Sequence, residues 1–305
     1  MSGLGCILIL GAAGQVGREL QRSFAGAGPL ICPGMDEADL ARPDELRAFM
    51  RSIRPDVILN AAAYTAVDRA ETERDVAYAV NAHAPRVLAE EAARGDALLV
   101  HYSTDYVFDG AKQEPWTEDD EPGPLSVYGA SKRAGEEAIR EAGCRALIFR
   151  TSWVYGPHGQ NFLLTMLRLG AERDQLKVVN DQTGAPTTSI ELANATRTIV
   201  DGALSGRYGP AEEWAGLYHM TCGGSTTWYG FAREIFARGG ELLAKAAPEV
   251  VPIESADYPT AARRPANSIL SNEKLRMRFG VALKEWDAAL DEALAELCAN
   301  RKGGT

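Results

Sequence analysis

A doubly wound parallel α/β sheet, with a smaller C-terminal substrate-binding region, is predicted by three observations. Short apolar runs alternate with helical stretches over the first half of the 305-residue chain. The first run leads straight into a glycine-rich turn. The polar residues of chemical interest fall where the runs end.

Taken in order, Cys6-Ile7-Leu8-Ile9-Leu10 is apolar throughout, as a strand covered on both faces must be. Gly11-Ala12-Ala13-Gly14-Gln15-Val16-Gly17 follows at once. Gly11 allows the tight turn, Gly14 lets backbone approach a pyrophosphate, and Gly17 lets the next helix pack closely. With Gln15 and Val16 these residues make a phosphate site at a helix N-terminus, where free N–H groups and the dipole favour an anion. Leu30-Ile31-Cys32 reads as a second strand, Pro43 to Ile53 as a helix, and Asp56-Val57-Ile58-Leu59-Asn60 as a third strand, with helical residues through Glu91. Ala97-Leu98-Leu99-Val100-His101 and Ala146-Leu147-Ile148-Phe149 are the next strands, separated by a helix carrying Tyr128. This alternation is the Rossmann arrangement, which holds ligands at the carboxyl ends of its strands. There lie Asn60-Ala61-Ala62-Ala63, Ser103-Thr104-Asp105 and Thr151-Ser152-Trp153. Residues 1–155 form the expected dinucleotide-binding domain. Residues 156–305, richer in turns, form mainly a substrate-binding region, some of whose elements return to the first sheet. The stretch 285–299 makes an amphipathic closing helix.

Tyr128 and Lys132 stand four residues apart on one helix face, with Cβ atoms roughly 5–6 Å apart. An ammonium so placed is expected to lower the phenol from its reference pKa of about 10, making Tyr128 a proton donor and acceptor near neutral pH. Asp39 and Leu40, beyond the second strand, and Ala61, Ala62, Ala63 and Tyr64, beyond the third, are expected to face the cofactor. Asp36, Glu37 and Asp39 favour a free ribose 2′-hydroxyl and so NADH, whereas Arg18 suits a 2′-phosphate.

Composition excludes several functions. The formal net charge is −10, from 42 acidic against 32 basic residues, so nonspecific nucleic-acid or anionic-membrane partners are not expected. Five cysteines without a C-x-x-C pair suggest reduced thiols, and the four histidines show no metal-ligand spacing. No run has a signal peptide's pattern or approaches the ~20 apolar residues needed to span a bilayer. A soluble cytoplasmic protein is expected.

The glycine turn, Thr104, Tyr128 and Lys132, in that order, make the chain resemble the extended short-chain dehydrogenase/reductases. Within them it is similar to the dTDP-4-dehydrorhamnose reductases through Asn60 to Asp68, His101 to Phe108, Phe149 to Tyr155, Asn180-Asp181-Gln182, Gly184 to Thr187, Gly216 to His219 and Ala262-Arg263-Arg264-Pro265. The resemblance implies reduction of the C4 keto group of a dTDP-bound 6-deoxy sugar, for cell-surface polysaccharide. Tyr128 would deliver the proton, Lys132 would tune it and hold the nicotinamide ribose, and Thr104 would orient the keto oxygen. Thr65, Val67, Asp105, Tyr106, Trp153, Arg263 and Arg264 would bind substrate, the arginines through phosphate. The implied cofactor is NADPH with NADH tolerated. Mg²⁺ at a dimer interface is implied for some members, and Glu19 matches one such position, but no ligand set is assigned. The partner is a small sugar nucleotide, and the protein a monomer or homodimer. Rival readings are a 4,6-dehydratase or epimerase, a noncatalytic subunit like that of methionine adenosyltransferase, and an NADP-sensing regulator. Dehydratases carry Glu where Tyr106 stands here.

Overall fold

The computed structural model describes residues 4–243 and 245–303. Its centre is a six-stranded parallel sheet. Strands β1 (Ile7–Leu10), β2 (Leu30–Ile31), β3 (Val57–Asn60), β4 (Leu98–Thr104) and β5 (Ala146–Thr151) are joined by the later strand Gly216–His219. The spatial order is β2, β1, β3, β4, β5 and then Gly216–His219. The chain leaves β1 toward one edge and returns past it to β3, so the crevice for ligands opens between the ends of β1 and β3.

Alternation along the strands builds two cores at once. Ile7, Ile9, Val57, Leu59, Leu147 and Phe149 face one side, where they meet Leu20 and Phe24 of helix α1 (Gln15–Ser23) and Leu192 and Ile199 of the helix Ser189–Leu204. Leu8, Leu10, Ile58, Leu99 and Ile148 face the other, against Leu46 and Met50 of helix α2 (Pro43–Ile53) and Ile139 of the Tyr128 helix, Val127–Ala142. Every residue of β1, β3, β4 and β5 is buried, which is why these strands read as unbroken apolar runs.

The predicted helical stretch after the third strand is divided. It comprises Val67–Ala70, Arg74–Tyr78, one π-helical turn at Ala79–His83, and Ala84–Gly95. Pro85, at the start of the last piece, has no N–H to give to the carbonyl of Asn81, four residues earlier. That carbonyl points instead at the Tyr128 helix, where a Cβ on Gly135 would come within 2.1 Å of it. Only glycine permits this approach.

The C-terminal part has its own core. Tyr155, Leu163, Phe231, Ile235, Leu290 and Leu294 pack beneath the parallel pair Gln175–Val179 and Glu249–Ile253. The closing helix, Trp286–Gly303, contributes Ala289, Leu290, Ala293 and Leu294 to buried positions. No helix among the described residues is long and apolar enough to cross a membrane.

Candidate active site

The glycine turn behaves as an anion cradle. Gly11 has φ +73°, and a Cβ there would lie 2.6 Å from the Ala62 backbone nitrogen, so the β1 and β3 loops touch through glycine alone. Gly14 precedes α1, whose N-terminus has no side-chain cap and no acidic residue in its first turn. Its leading N–H groups are thus available to a phosphate, and the site fits a dinucleotide. Gln15 accepts a hydrogen bond from Asn161 Nδ2 at 2.8 Å, while Val16 and the buried Gly17 pack onto the core. Ala61 and Ala62 pack on opposite core faces, and Ala63 is half-buried.

The predicted acids lie a few residues beyond the end of the second strand. Cys32, not a carboxylate, comes directly after β2, and Asp36 and Glu37 are exposed. Asp39 Oδ1 accepts from Ala41 N–H at 2.9 Å, and the same carboxylate pairs with Arg42 at 3.4 Å. Leu40 is buried in the core. The carboxylate expected to prefer a free 2′-hydroxyl is therefore also engaged locally, by Ala41 and Arg42. Arg18 donates to the Ala13 carbonyl at 3.1 Å.

At the end of β4 the reacting groups converge. Thr104 Oγ1 accepts from Tyr106 N–H at 3.2 Å and donates to Asp105 Oδ1 at 3.0 Å. The Tyr106 and Tyr128 rings meet edge to face, 5.6 Å apart. Tyr128 lies in the first turn of a helix capped by Ser126, whose Oγ accepts from Gly129 N–H. Ser103 Oγ, Asp105 Oδ2 and Thr151 Oγ1 are buried without a protein partner, leaving unmet hydrogen-bonding capacity at the ends of β4 and β5.

Electrostatics here differ from the expectation for a tyrosine-lysine pair. Burial pushes the Tyr128 phenol up to about 12, with the neighbouring Thr104 hydroxyl pulling the other way. Lys132 does not reach it. The lysine Nζ donates to the Tyr102 carbonyl at 2.6 Å and lies 3.3 Å from His101 Nε2, and burial lowers it to about 8. Helix spacing put the two side chains on one face, but the lysine stem extends into the sheet, toward the nearest buried carbonyl. Burial likewise raises Asp105 to about 6, opposed by hydrogen bonds from Ser268 and Thr104.

Of the predicted substrate residues, Thr65 is exposed and Val67 opens the short helix Val67–Ala70. Tyr64 donates its hydroxyl to Glu73 Oε2 at 2.5 Å. Trp153 adopts φ +48°, strained for a bulky residue, with its ring stacked on Trp228 at 3.6 Å. Arg263 is exposed. Arg264 is not a free phosphate hook: Asp68 Oδ2 accepts from its guanidinium at 2.8 Å, and its positive charge also bears on the Tyr106 phenol.

Several structural partners escaped sequence reasoning. Asn81 accepts from Tyr64 N–H, donates to Tyr64 O, and donates to Ser131 Oγ, tying the β3 loop to the Tyr128 helix. Asn60 and His101 stand behind Lys132. Asn60, His101 and Asp68 fall within strings already singled out, but Asn81, Trp228 and Ser131 carry no local signal of their contacts.

Glu19, His158 and Glu296 offer ligand atoms within 4.8 Å of one another. Arg22 Nη1 already bonds Glu19 at 3.2 Å and Glu296 at 2.8 Å. A guanidinium thus supplies positive charge between these carboxylates, while Glu19 Oε1 is buried without a protein partner.

An open dinucleotide cradle beside a tyrosine, threonine and lysine at the strand ends defines a Rossmann-fold, nicotinamide-dependent carbonyl oxidoreductase. The family model described as the RmlD substrate binding domain matches residues 5–299. The chain is 48% identical over 295 residues to the dTDP-4-dehydrorhamnose reductase of Burkholderia thailandensis, covering 95% of this chain and 98% of that one. It is 45% identical to the Escherichia coli K12 protein of the same name, with 95% and 97% covered. The chain belongs to the RmlD family, that of the dTDP-4-dehydrorhamnose reductases. Among solved structures, the Clostridium acetobutylicum reductase superposes with TM-score 0.88 at 38% identity, covering 96% of this chain and 99% of that one. The Bacillus anthracis reductase, in complex with NADP, also has TM-score 0.88, at 34% identity and with the same coverage.

Proposed function

We propose that this chain reduces the C4 keto group of dTDP-4-dehydro-L-rhamnose to dTDP-L-rhamnose with NADPH, the last step in making that sugar nucleotide for cell-surface polysaccharide. NADH is tolerated. The observation that carries this reading is the meeting of Thr104 and Tyr128 at the end of β4, within a fold whose α1 N-terminus lies open to phosphate.

Gly11, Gly14, Gln15, Val16, Gly17 and the loop Ala61 to Tyr64 hold the cofactor. When bound, it supplies the hydride that reaches C4. Tyr128 delivers its hydroxyl proton to the keto oxygen as charge develops there, a contribution of about 10²–10⁴ in rate. The high phenol pKa keeps that proton on the oxygen until the substrate demands it. Thr104 orients the carbonyl, and Lys132 holds the ribose side of the site. Thr65, Val67, Asp105, Tyr106, Trp153, Arg263 and Arg264 contact the sugar nucleotide. Tyr106, following Asp105, places an aromatic ring where a dehydratase needs a carboxylate.

Residues 1–155 serve chiefly the cofactor, and 156–305 chiefly the sugar nucleotide, with Gly216–His219 returned to the first sheet. The reaction is placed in the cytoplasm, carried out by a monomer or homodimer. Incubation with NADPH and freshly made dTDP-4-dehydro-L-rhamnose, followed by loss of nicotinamide absorbance, tests the reading. Loss only when the sugar nucleotide is present supports it; no loss in a folded, cofactor-binding preparation overturns it.

A further inference from the structure

Behind Lys132 runs a line of buried groups whose direction is set at one end. The Ala62 N–H can only donate, and it donates to Asn60 Oδ1 at 3.3 Å. This orients the amide, so the group facing His101 Nδ1 at 3.0 Å is the donor Asn60 Nδ2. Burial keeps His101 far below the ordinary histidine range, hence neutral. A neutral imidazole that accepts at Nδ1 carries its proton on Nε2. That nitrogen lies 3.3 Å from Lys132 Nζ.

Two donors would then face each other if Lys132 were an ammonium, which has three N–H groups and no lone pair. A neutral amine resolves the conflict. It accepts from His101 Nε2–H while still donating to the Tyr102 carbonyl at 2.6 Å.

We propose that Asn60 and His101 are positioning residues that store Lys132 as a neutral amine in the free protein, and that cofactor binding is coupled to uptake of one proton at Lys132 Nζ. The proton comes from buffer acid in bulk solvent. It forms the fourth bond at Nζ and leaves the buffer base behind, with no other bond changed. The inference rests on the reading of Lys132 as the lysine on the ribose side of the site.

The surroundings agree. Burial lowers Lys132, with the Glu136 carboxylate on its own helix pulling the other way. Glu136 is itself held by Arg150 of β5, through bonds of 2.7 and 2.9 Å, so its pull on the amine is shared with a guanidinium. His101 approaches from β4, with Asn60 of β3 behind it, and Tyr128 stands one turn earlier on the same helix. Among the described residues no carboxylate bonds Nζ.

Nitrogen NMR of ¹⁵N-histidine-labelled, cofactor-free protein reads the tautomers directly. The two buried histidines differ: His101 carries its proton on Nε2, whereas His219 carries it on Nδ1, which donates to the Trp116 carbonyl at 3.1 Å. Both buried rings protonated on Nδ1 would overturn the proposal. Asn60→Asp supplies a carboxylate that accepts from both Ala62 N–H and His101 Nδ1–H, so in this variant the His101 signal switches tautomer.

Calorimetric titration of NADP⁺ above the Lys132 pKa of about 8, where the free amine is neutral, in buffers of different ionisation enthalpy, measures the coupled proton. The parent protein takes up protons on binding, and Asn60→Asp loses that uptake. Binding without uptake in the parent overturns the coupling and leaves the reductase reading standing. Failure of NADP⁺ to bind at all counts instead against the reductase reading. If Asn60→Asp does not fold, the parent tautomers and parent proton uptake still decide the matter.

Discussion

Asp68 holds Arg264 from the opposite side of the chain's fold: one carboxylate oxygen accepts from the guanidinium at 2.8 Å while the other accepts from Ala262 N–H at 3.0 Å. The segment bearing Arg264 is fastened at its other end where Asp181 accepts from Ser255 N–H and Oγ. Residues 255–264 therefore run as a strap between the C-terminal core and the β3 loop. The Arg264 charge in turn bears on the Tyr106 phenol, whose ring abuts Tyr128.

Asp68→Ala is expected to act through KM more than through kcat, because it loosens the strap and not the proton donor. Loss of a charge-assisted pair of this kind costs about 1.5–3 kcal/mol, or roughly 10- to 100-fold in kcat/KM. Steady-state kinetics check it. An effect confined to kcat would show that the strap does not serve binding.

Tyr128→Phe should lower kcat by about 10²–10⁴ while NADP⁺ affinity changes little, since the variant removes one hydroxyl and no cofactor cradle. Thr104→Val should lower kcat as well, by up to about 10², as one hydrogen-bonding group to the keto oxygen is lost. Single-turnover rates and cofactor titrations provide the comparison.

Asp105 gives the fold a pH dependence with a definite sign. Burial raises its folded pKa from 3.8 to about 6. A carboxyl whose folded pKa exceeds its unfolded one contributes stability that is complete below the unfolded value and is lost as pH rises through the folded one. Asp105→Asn removes this loss. The Tm of the variant should therefore gain on the parent between about pH 4 and pH 6, the window spanned by those two pKa values. Melting curves across that range would refute the assignment if the gap were flat.

Trp228→Ala should remove the surface on which the Trp153 ring stacks at 3.6 Å. The loss of packing is expected to cost about 2–3 kcal/mol in stability, discounted from a fully buried tryptophan because Trp228 is only half-buried. KM should rise as Trp153 loses its orientation. Unchanged KM in a destabilised variant would assign the stack to the C-terminal core alone.

The parallel sheet was legible because both of its faces are covered, so each strand appears as a bare apolar run and each helix as an interruption. The glycine turn was legible for a related reason: Gly11 is required by positive φ and by contact with Ala62, both local demands on one position. Partnerships were harder to see. Nothing near Lys132 in sequence announces that its amine will find the Tyr102 carbonyl, thirty residues earlier, before it finds Tyr128. Asn81 earns its place only after Pro85 has freed its carbonyl and Gly135 has made room for it. Arg264 looked like a phosphate ligand because its carboxylate partner lies 196 residues away.

The late strand Gly216–His219 seals the outer edge of β5. Cutting the chain after residue 155 would bare a row of unpaired backbone groups flanked by Leu147 and Phe149, an invitation to strand-to-strand aggregation. Residues 1–155 alone are therefore expected to lack a closed sheet: polypeptide synthesis must reach Gly216–His219 before that edge is covered, and heat should melt the sheet and this later strand together.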